Sequence, residues 1–268
     1  GTIAACYPTV GAAEAAALAA TSATDNCPGS ITEAVSTSGS CSAVVTVTET
    51  DACGNVSSTA YNTRIDNAPP TFTSCPTTIT VNNVVGLCGR SVSYAAPTAT
   101  DNCTGMLTIL KVDGTGLMSG DFFPVGTTLQ KFETTDECGN TSTCMFNVIV
   151  IDNELPIITG CPANIVKNTD PGLCTALVTW VAPTASDNCP GVSLSLSPNL
   201  PPGSIFPKGV TTMVYTATDV SSNFVTCTFT VTVNDNELPQ ITCPSNIVVN
   251  ADAGLCSAVV TYTTPVGT

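Results

Sequence analysis

The feature that most constrains this chain is that it restarts. Asp66-Asn67-Ala68-Pro69-Pro70 is followed by Cys75-Pro76, Asp152-Asn153-Glu154-Leu155-Pro156 by Cys161-Pro162, and Asp235-Asn236-Glu237-Leu238-Pro239 by Cys243-Pro244. Other landmarks keep step: Gly-Leu-Cys at Cys88, Cys174 and Cys256, Asp-Asn-Cys at Cys103 and Cys189, Phe-Pro-x-Gly at Phe123 and Phe206, and a late cysteine at Cys144 and Cys227. The first two landmarks recur after 86 and then 82 residues. That period is too long for a solenoid coil and suits a string of small sandwich domains rather than one large core. The expected modules are 66–151 and 152–234, with 235–268 the start of another and 1–65 a shortened or partial variant.

Within a module the apolar pattern is that of antiparallel sheet. Short runs rich in Val, Thr and aromatics alternate with turn signals at intervals of roughly 8–12 residues. Thr175–Val181 shows the period of two: Ala176, Val178 and Trp180 share one face, and Leu177, Thr179 and Val181 the other. Tyr94 and Tyr262 hold the place of Trp180, which reads as a core aromatic rather than a ligand-stacking one. Ser42–Thr50 and Val56–Arg64 alternate in the same way around the turn Asp51-Ala52-Cys53-Gly54-Asn55. The one helix candidate is Gly11–Ala20, rich in alanine, with Thr9 placed to cap it.

Composition narrows the function. Six Lys and Arg against twenty Asp and Glu leave a formal charge of −14. Such a surface repels phosphate, so nucleic acid and anionic membranes are poor partners and cations good ones. The chain has no histidine, which removes the commonest general base and with it Ser-His and Cys-His nucleophiles. Fifteen cysteines without paired Cys-x-x-Cys knuckles fit an oxidising, extracellular compartment better than zinc binding. No apolar run is long enough to span a bilayer, and no signal peptide opens the chain, as expected of a segment of a longer secreted polypeptide.

The order DNxxP, CPxxI, GLCxAxVx(Y/W), PTAxDNC, FPxGxT, a TDxxxN turn and CxFxV resembles the hyalin repeat (HYR) domain, an immunoglobulin-like module of extracellular proteins. The resemblance covers 66–268, while 1–65 keeps only its DNC and DACGN elements. It implies an all-β chain of immunoglobulin-like antiparallel β-sandwich modules in a head-to-tail array, with one short helix in the first unit. Adhesion or a stalk is implied, and no catalytic residue. The cysteine-rich texture is similar to tandem HYR modules of very large bacterial surface proteins, gliding-motility adhesins among them. The partners then expected are neighbouring modules, other copies in a fibre, or surface glycans.

The sandwich implied by the resemblance sets its first strand beside its last, and two of its loops at one end. On that basis Cys75 is expected to pair with Cys144, Cys161 with Cys227, Cys103 with Cys138, and Cys27 with Cys53, leaving Cys6 for Cys41. Module 152–234 has Val220-Ser221-Ser222 where its neighbour has Glu137-Cys138-Gly139, so Cys189 lacks a loop partner. Cys88 stands at the opposite end of its module, about 20–25 Å from its own Asp-Asn-Cys loop. A disulfide between modules, Cys88 to Cys189, is therefore expected, with Cys174 left for a further module. Bonds inside modules, Cys88–Cys103 and Cys174–Cys189, are the alternative, and they strand Cys138.

Acidic residues gather at the joints. Asp152, Glu154, Asp187 and Asp219, like Asp66, Asp101, Asp136 and Glu137 before them, could hold Ca²⁺ with backbone carbonyls. The competing reading is that Asx side chains simply cap their turns. A carbohydrate-binding module would need exposed aromatics, for which Tyr7, Phe72 and Phe122 are the candidates. Paired carboxylates could serve a glycosidase, but catalytic sites are seldom copied at every joint.

Overall fold

The computed structural model describes residues 1–103 and 105–267. It forms two compact units, Gly1–Asn153 and Glu154–Thr268. The first holds two modules. Residues 1–65 form β1 (Cys6–Tyr7), α1 (Val10–Ala20), β2 (Thr32–Ser38), β3 (Ala43–Thr50) and β4 (Val56–Ile65). Their sheet runs β1-β4-β3-β2, with β1 parallel to β4. The helix starts where expected: the Thr9 hydroxyl oxygen accepts a hydrogen bond from the Ala12 N–H at 3.2 Å. Ala13 and Ala17 are fully buried against Val45, Val47 and Tyr61, because alanine lets a helix axis approach a sheet closely.

Residues 66–151 form β5 (Thr71–Ser74), β6 (Ile79–Asn82), β7 (Gly89–Ser91), β8 (Thr98–Thr100), β9 (Thr108–Lys111), β10 (Phe122–Pro124), β11 (Gly126–Thr135) and β12 (Thr141–Ile151). The main sheet is β6-β12-β11-β9, and the pairs β5-β8 and β7-β10 supply the strands over it. The second unit repeats this with β13 (Ile157–Thr159), β14 (Ile165–Asn168), β15 (Thr175–Val178), β16 (Thr184–Ser186), β17 (Ser193–Ser197), β18 (Ser204–Pro207), β19 (Gly209–Thr218) and β20 (Phe224–Asn234). Its order β14-β20-β19-β17, with β13-β16 and β15-β18, matches strand for strand. The repeat extends to burial. β12 and β20 share one sequence of exposed and buried positions, and so do β11 and β19. In residues 1–65 the strands β1, β4, β3 and β2 keep the main sheet, while α1 lies where the sandwich modules have their strand pairs. The first module is thus a half-sandwich closed by a helix.

Both sandwich cores are built on an aromatic trio. Phe132 stacks on Phe146 at 6.3 Å and Tyr94 meets Phe146 edge-on at 5.0 Å. In the second unit Tyr215 stacks on Phe229 at 6.3 Å and Trp180 meets Phe229 edge-on at 5.3 Å. Trp180 lies beyond the end of β15 yet packs on the core, on the face shared by the buried Ala176 and Val178. The polar tips are satisfied differently. The Tyr94 hydroxyl donates to the Gln130 side-chain oxygen Oε1 at 2.9 Å, whereas the Trp180 N–H donates to the Tyr215 hydroxyl at 3.0 Å. Gln130 stands opposite Phe146 where Met213 stands opposite Phe229, so the polar core residue accompanies the tyrosine. Phe123 and Phe206 are fully buried, and the turns after them close through Gly126 at φ 115° and Gly209 at φ 120°, a region that side chains avoid.

Residues 235–267 form no strand beyond an isolated bridge between Ile241 and Gly267. In the complete modules the corresponding opening strands β13 and β14 pair with β16 and β20. Among the described residues after 235 no such pairs form, and apolar residues here, among them Val248 and Val259, are exposed.

Candidate functional site: the joint at Asp66

Three loops of one design mark the same end of each module. At Asp136 the carboxylate accepts from the Cys138 N–H and the Asn140 N–H, each at 2.8 Å, and from the Asn140 amide at 2.8 Å. Asp51 accepts from the Cys53 N–H, the Asn55 N–H and the Asn55 amide at 2.8, 2.8 and 2.7 Å. The Asn55 side-chain and backbone donors hold the Asp51 carboxyl below the usual carboxylate range. Asp219 accepts from the N–H and amide of Asn223 at 2.8 and 2.7 Å. These turns require a left-handed residue, supplied by Gly54, Gly139 and, in the second unit, Ser222 at φ 72°. Asp219, named from the sequence as a possible calcium ligand, caps its turn here, each of its oxygens accepting from Asn223.

Beside each turn lies the Asp-Asn-Cys loop. Its glycine packs on the residue after the turn aspartate: Gly29 on Ala52, Gly105 on Glu137, and Gly191 on Val220. The cysteines of the second module's two loops bond to the module before. Cys41 bonds Cys103 with Cα atoms 5.0 Å apart, and Cys6 bonds Cys138 at 5.4 Å. Both distances suit a disulfide. The expected pairs Cys6–Cys41 and Cys103–Cys138 are thus replaced by two bonds across the joint, and the expected Cys27–Cys53 bond is absent, both thiols being free and exposed. The physical reason is the parallel pairing of β1 with β4. It carries Cys6 to the end where β4 leaves the module, the end that also holds the β2–β3 hairpin with Cys41. Cys75–Cys144 and Cys161–Cys227 bond within their sandwiches, with Cα separations of 5.8 and 5.9 Å. Cys174 is a free thiol, while Cys88 and Cys189 are not among the free cysteines.

Polar contacts follow the same joint. Arg64, at the end of β4, pairs with Glu137 at 2.7 Å, and the Asn102 amide donates to Asp66 at 3.2 Å. The Asn140 amide reaches the Asp66 carbonyl oxygen at 3.4 Å, and Ser142 donates to the carbonyl of Pro70. Asp66 is almost fully buried. Its Oδ1 accepts from Asn102 and from the Ala68 N–H, while its Oδ2 and the Asp101 Oδ1 are buried without a hydrogen bond. Asp66, Asp101 and Cys103 converge within 4.8 Å, but the Cys103 sulfur is spent in its disulfide, so only carboxylate oxygens remain to meet a cation. Of the other acidic residues named from the sequence, Asp152 is buried at the end of the first unit, Glu154 opens the second, and Asp187 accepts from the Cys189 N–H at 2.9 Å.

The aromatics proposed for sugar stacking are mostly occupied. Tyr7 and Phe72 pack on the cores of their modules, and Phe122 alone of the three is well exposed. Among the described residues no helix is long and apolar enough to cross a membrane. What sequence reasoning missed was the pairing at Asp66. The sequence carries four cysteines before Asp66, and nothing in their spacing singles out Cys6 and Cys41 as the two that meet Cys138 and Cys103.

Comparison with known proteins finds relatives by sequence and by structure. Hyalin of Strongylocentrotus purpuratus is 35% identical over 238 residues, covering 82% of this chain and 19% of hyalin. Hyalin of Lytechinus variegatus is 33% identical over 233 residues, covering 84% of this chain and 43% of its own. The chain thus spans less than half the length of the curated relatives it matches. A solved protocadherin Gamma B7 fragment, extracellular cadherin domains 1–4, aligns over 77% of this chain and 62% of its own at 15% identity and a TM-score of 0.29. The hyalins are animal proteins, and the comparison gives no support to a bacterial gliding-motility adhesin. The HYR domain matches residues 65–150 and 151–233, the two sandwiches that the strand order sets apart, and with more than half its length so matched the chain belongs to the HYR domain family.

Proposed function

We propose that this chain is a non-enzymatic, load-bearing segment of an extracellular adhesive repeat protein, in which disulfides between modules convert a string of domains into a stiff stalk. The observation that carries the reading is the pair of covalent bonds across the Asp66 joint, Cys6–Cys138 and Cys41–Cys103. Ordinary domain boundaries hinge, and two separated cross-links remove that freedom. The support from composition is the abundance of cysteine, and from the comparison the likeness to hyalin. A Cys88–Cys189 bond extends the scheme to the next joint. It is favoured by place: the Val125 N–H donates to the Cys88 carbonyl at 3.3 Å, so Cys88 lies beside the same hairpin end that presents Cys41 in the first module. Cys189, for its part, holds the Asp-Asn-Cys position of Cys103. A Cys174–Cys189 peptide in a non-reducing digest would refute that bond.

Single-molecule stretching between the two ends of the chain tests the mechanical reading. The Cys6–Cys138 loop spans a sequence separation of 132 residues. While it is closed, it hides on the order of 435–475 Å of extended chain, at roughly 3.3–3.6 Å per residue. That length is released only with reductant; its release without reductant would refute the stalk. Selective capture of a glycan by this segment would instead favour a binding module.

A hard divalent cation at the joint is a second reading, favoured by the two buried carboxylate oxygens of Asp66 and Asp101 that accept no hydrogen bond. Calcium prefers such oxygens. A rise in Tm with CaCl2 that EDTA reverses, and that Asp101→Asn abolishes, is expected. Indifference of Tm to both would discard this reading.

A further inference from the structure

Cys27 and Cys53 remain. They are free and exposed, and they hold the loop positions that Cys103 and Cys138 hold in the second module. Cys53 sits in the same carboxylate-capped turn as Cys138, its N–H donating to Asp51 at 2.8 Å as that of Cys138 does to Asp136. The glycines that follow have φ 85° and 86°. Cys27 shares the Asp-Asn-Cys-x-Gly loop, and its Gly29 packs on Ala52 as Gly105 packs on Glu137. In the second module both positions are bonded to the module before it.

We propose that Cys27 and Cys53 form the covalent socket for a preceding module of the same polypeptide, one that presents two cysteines as residues 1–65 do. The socket is selective by number. A module of the 1–65 kind offers one cysteine on its opening strand and one in its hairpin, which meets a two-cysteine socket. The sandwich of 66–151 offers only Cys88 at that end, and the sandwich after it, where Ser221 replaces the second cysteine, has a one-cysteine socket. The path of the chain favours the same polypeptide over a second copy. Because β1 runs parallel to β4, the chain approaches Cys6 from the end that carries Cys27 and Cys53, and Gly1 lies against Ala20.

Each bond would form by thiol–disulfide exchange with an oxidoreductase disulfide of the secretory compartment. One thiolate attacks that disulfide and the partner thiol displaces the carrier, so that two thiols are oxidised to a cystine and the carrier is reduced to its dithiol.

The test is made on the full-length natural polypeptide, blocked with iodoacetamide and digested without reduction. Cys27 and Cys53 peptides are each expected to be linked to a cysteine peptide lying outside residues 1–268, and both sites to be closed to maleimide. In the isolated 268-residue chain the same two thiols are expected to react fully, while Cys6, Cys41, Cys103 and Cys138 do not. A Cys27–Cys53 peptide in the natural protein, or both recovered as blocked thiols, would overturn the proposal. Linkage to cysteines of a separate chain, shown by dimers on a non-reducing gel, would overturn its assignment to one polypeptide.

Discussion

Replacing the Cys41–Cys103 bond by serines, Cys41→Ser with Cys103→Ser, isolates one staple of the Asp66 joint while leaving Cys6–Cys138 in place. The bond has a sequence separation of 62. Loop entropy for a ring of that size corresponds to roughly 4 kcal/mol, and measured disulfides centre on about 2–4 kcal/mol. The remaining Cys6–Cys138 bond does not change the figure much. The ring then closed runs through residues 6–41 and 103–138, of order 70 residues, and the dependence on length is logarithmic. For a unit of about 150 residues each kcal/mol moves Tm by roughly 2–4 °C, so scanning calorimetry should show the first unit melting about 5–15 °C lower. The transition of the second unit should not move, which makes it an internal control. A drop below about 2 °C would refute the reasoning, since it would mean that the bond restricts nothing the joint does not already restrict. So would a Cys103–Cys138 peptide in a non-reducing digest of the unaltered chain, because that loop pair would then close inside one module.

Three further outcomes follow from particular side chains. Ser222 occupies the left-handed position that Gly54 and Gly139 fill elsewhere, so Ser222→Gly should stabilise the second unit by about 1 kcal/mol in chemical denaturation. Tyr94→Phe removes the donor to the fully buried Gln130 side-chain oxygen and should cost the first unit about 1–3 kcal/mol, whereas Tyr94→Phe with Gln130→Met, which restores the Met213 pattern, should recover much of it. Burial alone would raise the Asp113 carboxyl, but the Lys111 ammonium, the Thr115 N–H and hydroxyl, and the Lys131 N–H outweigh it and hold it down to about 2. Because the folded value lies below the unfolded one, this stabilisation is complete above the unfolded value and lost as pH falls toward 2. Acid titration of the first unit should therefore lose about 2 kcal/mol over that window, and Asp113→Asn should abolish that share.

Much of the fold was legible because local chemistry and the final structure agree. The period of two in Thr175–Val181 put Ala176, Val178 and Trp180 on the core side, and Thr9 capped an alanine-rich helix, since both depend only on neighbours in sequence. The recurring landmarks, at nearly the same spacing, go with the same strand order in the two sandwiches, because similar sequence folds alike. What was not legible was the parallel excursion of β1. Two residues, Cys6 and Tyr7, are too short to register as a strand, yet their pairing with Arg64 and Ile65 decides which end of the module Cys6 occupies. The helix between β1 and β2 also displaces the strands that the sandwich analogy assumes, so the half-sandwich does not keep its cysteines in the places the analogy assigns.

The joint therefore divides its work between two kinds of interaction. Arg64–Glu137 is partly exposed, and a pair of that sort contributes only about 0–1 kcal/mol, too little to prevent bending. The Asp66 hydrogen bonds join the same two modules, but each contributes only about 0.5–1.5 kcal/mol. On the stalk reading, the two disulfides are the contacts that would carry a sustained pull, and because they lie in two different loops they would oppose bending as well as separation. Asp136 places Cys138 through its capped turn, and Asp101 places Cys103 by accepting its N–H at 3.1 Å. The acidic residues at this joint thus act first on the cysteines: they hold the backbone so that both sulfurs face the module before.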